Sequence, residues 1–297
     1  MATDQVIGAI VGLWRFPVKS MLGEKLDEVE VTERGLIGDR AFGLIDAESG
    51  KVVSAKNPKL WPDLFSCRAA FLEPPRATTG LPPVRITLSN GTSVTSDAPN
   101  VDAILSGFFR RDVRLAQAAP EDFTIDQYHP AAQDVEPTGD DQSVTETKLG
   151  AAAFAQAGLP SAVPIGSFFD VFPVSVLTTS TLDRLNAIRP ESRFDERRFR
   201  MNVTVGTHEP GLLENEWVDR ALQVGDSVRL RGVMPDPRCV MITLAQHDLP
   251  KDVEILRTVN RHSSIEIPGI GLRPCAGLYA VVESVGTLRK GHCAVLA

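Results

Sequence analysis

Along the first third of the chain, apolar positions come in short runs broken by glycine and turn residues. Ile7 to Trp14 is apolar and punctuated by glycine. Leu26 to Val31 roughly alternates apolar and acidic residues, the period of a half-buried strand. Gly35 to Arg40 reads as a turn and Ala41 to Asp46 as a short strand. Ser49-Gly50 then reads as a hairpin turn into Val52 and Val53. Asn90-Gly91, between Val84–Leu88 and Ser93–Thr95, is the strongest hairpin signal in the chain, because both residues tolerate the positive φ of a two-residue turn. Val101 to Phe109 predicts one short helix. Short strands this close together predict a barrel or sandwich rather than alternating βαβ units.

From about Ala116 to Gly166 the pattern changes. Pro120, Pro130, Pro137, Pro160 and Pro164 stand among scattered acids, which predicts a linker or long functional loop with one helix over Thr145–Ala157. Strands return at Val174–Leu177, followed by a helix over Leu182–Ile188 that Pro190 stops. One of Thr178, Thr179, Ser180 and Thr181 is expected to cap that helix. Asn202–Val205, Ala221–Val224, Val228–Leu230, Cys239–Leu244 and Leu278–Val282 also read as strands. Leu222–Leu230 and Leu288–Leu296 resemble each other, and both read as strand–turn–strand units.

Composition sets bounds on this picture. A chain of 297 residues accommodates two domains, and 43% hydrophobic with 23% charged residues is ordinary for a globular protein. Lys and Arg number 31 against 38 Asp and Glu, a net charge of −7, which argues against a general nucleic-acid or anionic-membrane surface. Cys67, Cys239, Cys275 and Cys293 have no C-x-x-C spacing and no flanking His, so a zinc or iron–sulfur motif is not expected. No signal peptide and no apolar run of membrane-spanning length is evident, and the expected location is cytoplasmic with reduced thiols.

Two sets of residues bear on chemistry. Cys239 follows Met234-Pro235-Asp236-Pro237-Arg238, where the prolines predict an irregular loop. A cation beside the sulfur would favour a thiolate, which is a nucleophile or a soft-metal ligand. A buried structural cysteine is the alternative. The second set is dispersed: Lys19-Ser20, Asp39-Arg40, and Arg200 with Asn202. These assemble into an anion pocket or lie apart as solvated surface charge. The histidines His129, His208, His247, His262 and His292 form no ligand-spaced pair, and nucleotide-binding and serine-hydrolase motifs are absent.

Trp14-Arg15-Phe16-Pro17-Val18-Lys19-Ser20-Met21-Leu22-Gly23-Glu24, followed by Gly35-Leu36-Ile37-Gly38-Asp39-Arg40, resembles the β-barrel domain that precedes MOSC domains. Arg198-Phe199-Arg200-Met201-Asn202-Val203, Glu216-Trp217, Val224-Gly225-Asp226-Ser227-Val228, Pro237-Arg238-Cys239 and Gly277-Leu278-Tyr279-Ala280-Val281 with Gly286-Thr287-Leu288 resemble the MOSC domain, the C-terminal fold of molybdenum-cofactor sulfurase. The resemblance covers nearly the whole chain in order. It implies a mainly β protein with some helix and two barrel-like domains: a MOSC N-terminal barrel over residues 1–145, with the Pro-rich insert from about 116, and a pyruvate-kinase-barrel-like MOSC domain over 146–297.

The resemblance also implies a molybdopterin cofactor between the domains, with Cys239 as molybdenum ligand and Arg238 helping to keep its sulfur ionised. Lys19, Ser20 and Arg40 would hold the phosphate and pterin, Arg200 and Asn202 would anchor them from the MOSC side, and Asp170 would sit on a pterin-contacting loop. The family's functional relatives include the mitochondrial amidoxime-reducing component and its bacterial counterparts. Their chemistry implies reduction of N-hydroxylated substrates such as amidoximes and hydroxylamines. Pyridoxal phosphate binding is a further family attribute. Because no clustered-cysteine module follows within the chain, electrons are expected from a separate ferredoxin, cytochrome b5-like protein or flavoprotein. The rival expectations are a cofactor carrier, and a sulfur-transfer protein with a persulfide on Cys239.

Overall fold

Val174–Thr178 is buried at all five positions, and this strand closes a barrel. The computed structural model describes residues 5–128, 144–156, 158 and 161–297. We number the barrel strands β1 (Gln5–Arg15), β2 (Val174–Thr178), β3 (Val203–Gly206), β4 (Ala221–Val224), β5 (Val228–Pro237), β6 (Gly271–Ser284) and β7 (Cys293–Leu296). Around the barrel the order is β2-β3-β1-β7-β4-β5-β6, and β6 returns to β2. β2 and β3 run parallel, so a crossover must join them. Helix Thr179–Ile188 forms part of it, capped by the Thr178 hydroxyl, which accepts from Thr181 N at 3.1 Å. The expected hydroxyl cap is thus Thr178, and the helix begins at Thr179 rather than Leu182.

The barrel core holds Ile10, Leu13, Val174, Val176, Val203, Val205, Leu230 and Leu278. A separate core holds Val18, Met21, Trp61, Phe65, Ile86 and Leu105, with small sheets around it. Arg68–Phe71, Val84–Thr87 and Ser93–Thr95 form one such sheet, and its hairpin turns at Asn90-Gly91, although in a longer loop between Leu88 and Thr92 in which only Gly91 takes a positive φ. The two cores interlock. β1 comes from the N-terminal segment, whereas Met241, from the chain after β5, is part of the N-terminal core. The mainly β expectation is borne out, and helix Val101–Phe109 has its expected ends. No helix among the described residues is long and apolar enough to cross a membrane.

Several local expectations are corrected. Cys239–Leu244 is not a strand: Val240–Thr243 is a single 3₁₀ turn with Cys239 at its N-cap. All four residues of the turn are buried, so the apolar run carries no period to read. Met234–Pro237 is not a loop but the end of β5, paired with β6 through bulges that seat the two prolines. The helix expected over Thr145–Ala157 is strand Val144–Lys148 followed by helix Ala151–Gln156. Val144, Thr145 and Thr147 favour the extended form, and the strand pairs with Thr124–Tyr128. The segment from Ala116 to Gly166 is therefore more than a linker; Pro130, Pro137 and Pro160 lie outside the described residues. Finally, Leu222–Leu230 is a hairpin, whereas the strands of Leu288–Leu296 part: Gly286–Arg289 pairs with Glu28–Thr32, and β7 pairs with β1 and β4.

Gly277 shows how tightly the closure is packed. Its φ is +96°, and a Cβ there would stand 2.9 Å from the Val176 carbonyl oxygen and 2.2 Å from Met201 Cε. Gly277→Ala is expected to destabilise the fold by about 2 kcal/mol or more, read as a lower denaturation midpoint in urea.

Candidate functional site

Three residues of the N-terminal and MOSC-like motifs sit in left-handed backbone. Ser20 (φ 65°), Arg40 (φ 48°) and Arg200 (φ 57°) are half of the six non-glycine residues with positive φ among those described. All three line the same cavity, so the strain is concentrated where the surroundings hold it. Arg200 gains its position from helix Glu196–Phe199, whose C-cap it forms; Asp195 caps the other end through Arg197 N at 3.0 Å. The Arg200 guanidinium donates to the Met21 carbonyl at 2.7 Å and lies 4.3 Å from the Phe16 ring centre. The Arg40 guanidinium lies 4.3 Å from the same ring centre.

Asp39 organises this group. Its carboxylate accepts from Arg40 Nη1 at 2.6 and 2.7 Å, from Phe16 N at 2.7 Å and from Asn202 Nδ2 at 2.9 Å. The Asn202 side-chain oxygen accepts from Ser175 N and Oγ at 3.1 and 3.0 Å. Asn202 therefore positions Asp39 and, through it, Arg40. Ser20 Oγ accepts from Ala55 N at 3.1 Å.

Lys19 donates to the Phe168 carbonyl at 2.9 Å and to Asp170, which also pairs with Lys56 at 2.8 Å. Burial pulls Lys19 below its ordinary value, with Asp170 opposing. Burial acts against the Lys56 charge too, but Asp170 and Cys239 outweigh it and raise its value. Burial would raise Asp170, yet the two lysines hold it well below the usual carboxylate range. A carboxylate depressed by folding stabilises above its unfolded pKa, about 3.9, and that stabilisation is lost as pH falls. Asp170→Asn is therefore expected to cost about 3 kcal/mol at pH 7. It should also flatten the loss of stability below about pH 4, checked by urea unfolding across pH.

Cys239 is half-buried and packs against the N-terminal core. Its neighbour Arg238 is committed elsewhere: to Asp236, to the Phe199 carbonyl and to Met201 Sδ at 3.6 Å. It remains within electrostatic reach of Cys239, and Arg238 Nε is buried with no hydrogen-bond partner. Burial pushes Asp236 up to about 6 despite Arg238, and burial also pushes Tyr279 well above its ordinary value. Arg198, fully buried, donates to the carbonyls of Arg193, Ile242, Leu244 and Pro250. It thereby fixes the 3₁₀ turn that begins at Cys239.

Lys19, Ser20, Arg40, Asp170, Arg200, Asn202, Arg238 and Cys239 all line one cavity of about 620 Å³, within the size range of small-molecule and cofactor sites. Lys56, Asp236 and Tyr279 also line it and were not among the candidates. Tyr279 stands in a quoted motif, but Lys56 and Asp236 carry no pattern of their own. Seven cationic side chains line the cavity against two carboxylates, in a chain of net charge −7. Burial first, and then Arg40, lower Arg200 to about 9. An anionic ligand would offset this lowering. Among the described residues no three His, Cys, Asp or Glu side chains gather as a metal site. A metal here would bring ligands with it and find one ionisable soft donor, the Cys239 thiol.

Residues 7–80 match the MOSC N-terminal beta barrel domain and residues 166–293 match the MOSC domain. Among curated proteins, the chain is 25% identical over 316 residues to mitochondrial amidoxime-reducing component 1 of Mus musculus, covering 97% of this chain and 82% of that one. It is 26% identical over 298 residues to mitochondrial amidoxime reducing component 2 of Homo sapiens, covering 97% and 83%. Among solved structures, the YUAD protein from Bacillus subtilis is 12% identical with a TM-score of 0.44, covering 100% of this chain and 98% of that one.

Proposed function

From a chain that belongs to the MOSC proteins, with a MOSC N-terminal beta barrel domain followed by a MOSC domain, we propose a molybdenum-cofactor-dependent reductase of N-hydroxylated compounds such as amidoximes and hydroxylamines. The observation that carries this reading is the cavity itself: cations in excess around one cysteine thiol, Cys239. Those residues fit a molybdopterin. Lys19, Lys56, Arg40 and Arg200 supply charge for a phosphate, Ser20 supplies a directional donor, and Cys239 supplies a soft thiolate. The curated relatives named for amidoxime reduction align over nearly the whole chain, which supports the substrate class.

When bound, the cofactor supplies two-electron reduction of the N–O bond. The protein's part is to bind and orient. Asp39 and Asn202 fix Arg40, helix Glu196–Phe199 fixes Arg200, and Arg198 fixes the turn that presents Cys239. Asp170 keeps Lys19 and Lys56 charged and in place. Asp236, near 6, is able to hold or release a proton at neutral pH beside Arg238 and Tyr279. Electrons arrive from a separate electron-transfer protein.

The test is turnover of benzamidoxime by cofactor-loaded protein with an artificial electron donor. Sustained conversion to benzamidine is expected. Loaded protein that binds pterin and molybdenum but never turns over would instead make it a cofactor carrier.

A further inference from the structure

The cavity is not lined by charge alone. Leu256, Ile270 and Leu272 also line it, and the last two are 44% and 61% exposed. They stand on a hairpin in which Ser264–Ile267 pairs with Gly271–Pro274. Its turn is closed by Ile270 N to the Ile267 carbonyl at 3.0 Å, with Gly269 at φ +76°. The base is fastened. Cys275 N donates to the Ser263 carbonyl at 2.8 Å, and Ser263 Oγ donates to the Cys275 carbonyl at 2.6 Å. Most usefully, Arg238 N donates to the Pro274 carbonyl at 2.7 Å, so the hairpin is tied to the residue next to Cys239.

We infer that Ile270 and Leu272 receive the apolar part of the substrate, and that the enzyme prefers N-hydroxylated compounds bearing an aromatic or branched aliphatic group over small polar ones. This rests on the reductase reading above. The hairpin base is tied to the residue before Cys239, and Ile270 and Leu272 line the same cavity as Cys239, so a substrate held in that cavity has these exposed aliphatic side chains available to its apolar part. Burying them against an apolar group removes both from water, whereas a small polar substrate leaves them wet.

Ile270→Ser with Leu272→Ser alters exposed positions and should leave the fold intact. The ratio of kcat/KM for benzamidoxime over acetamidoxime is expected to fall about tenfold in this double variant. Val285→Ser, at an exposed apolar position outside the cavity lining, should leave the ratio unchanged. Ligand-observed NMR of benzamidoxime with the protein as isolated gives a second readout, and its signal should weaken in the double variant. An unchanged ratio with unchanged NMR binding overturns the inference. If wild-type protein turns over neither compound, the reductase reading falls and the NMR comparison alone decides this inference.

Discussion

Cys239→Ser is expected to abolish turnover, by at least about 100-fold, while pterin remains bound. Serine keeps the shape but replaces a soft, readily ionised donor with a hard hydroxyl that stays protonated. Cys239 follows a residue whose backbone is tied to Pro274 and precedes a turn fixed by Arg198, so the main chain needs neither sulfur nor its charge. Stability should therefore change by about 1 kcal/mol or less. Molybdenum content or its ultraviolet–visible spectrum should change with the substitution. The pterin should stay, because the cations that would hold it are different residues. If the variant keeps the wild-type spectrum and turnover, Cys239 is not a ligand. If sulfur transfer is lost with metal and pterin both unchanged, the persulfide reading takes its place.

Arg200→Ala is expected to weaken cofactor retention by about 100-fold, the scale for truncating a buried, hydrogen-bonded charge. The same charge predicts a pH dependence with a definite sign. Burial and Arg40 lower Arg200 to about 9, so the cation is present at neutral pH and is lost as pH rises through that value. An anionic ligand binds the protonated form, so retention in wild type should hold from pH 7 to 8 and fall above about 9. In the variant this fall should be smaller. Pterin fluorescence retained after gel filtration at each pH measures both effects. A variant that retains pterin as well as wild type would remove Arg200 from the anion site.

The sequence carried much of this arrangement, and the reasons differ from place to place. Asn90-Gly91 and helix Val101–Phe109 are set by neighbours in the chain, and both were legible. Lys19, Arg40, Arg200 and Cys239 gained their roles only through family motifs, since composition and spacing favour reading them as scattered charge and a core thiol. Lys56 was invisible, because its meaning comes from Asp170, more than a hundred residues away. Asp236 was hidden likewise: burial beside Tyr279 makes it unusual, and β6 brings that tyrosine. The turn after Cys239 was misread because its winding is imposed by Arg198 from another element. Asn202 was legible as a site residue but not in its role, which depends on the remote carboxylate of Asp39.

The central claim is that this cation-lined cavity holds a molybdenum–pterin cofactor. Its most direct test is the molybdenum and pterin content of the full chain purified from a molybdate-replete host. Near-stoichiometric molybdenum and pterin are predicted. A folded chain that holds neither, even after reconstitution with the cofactor, would contradict the account.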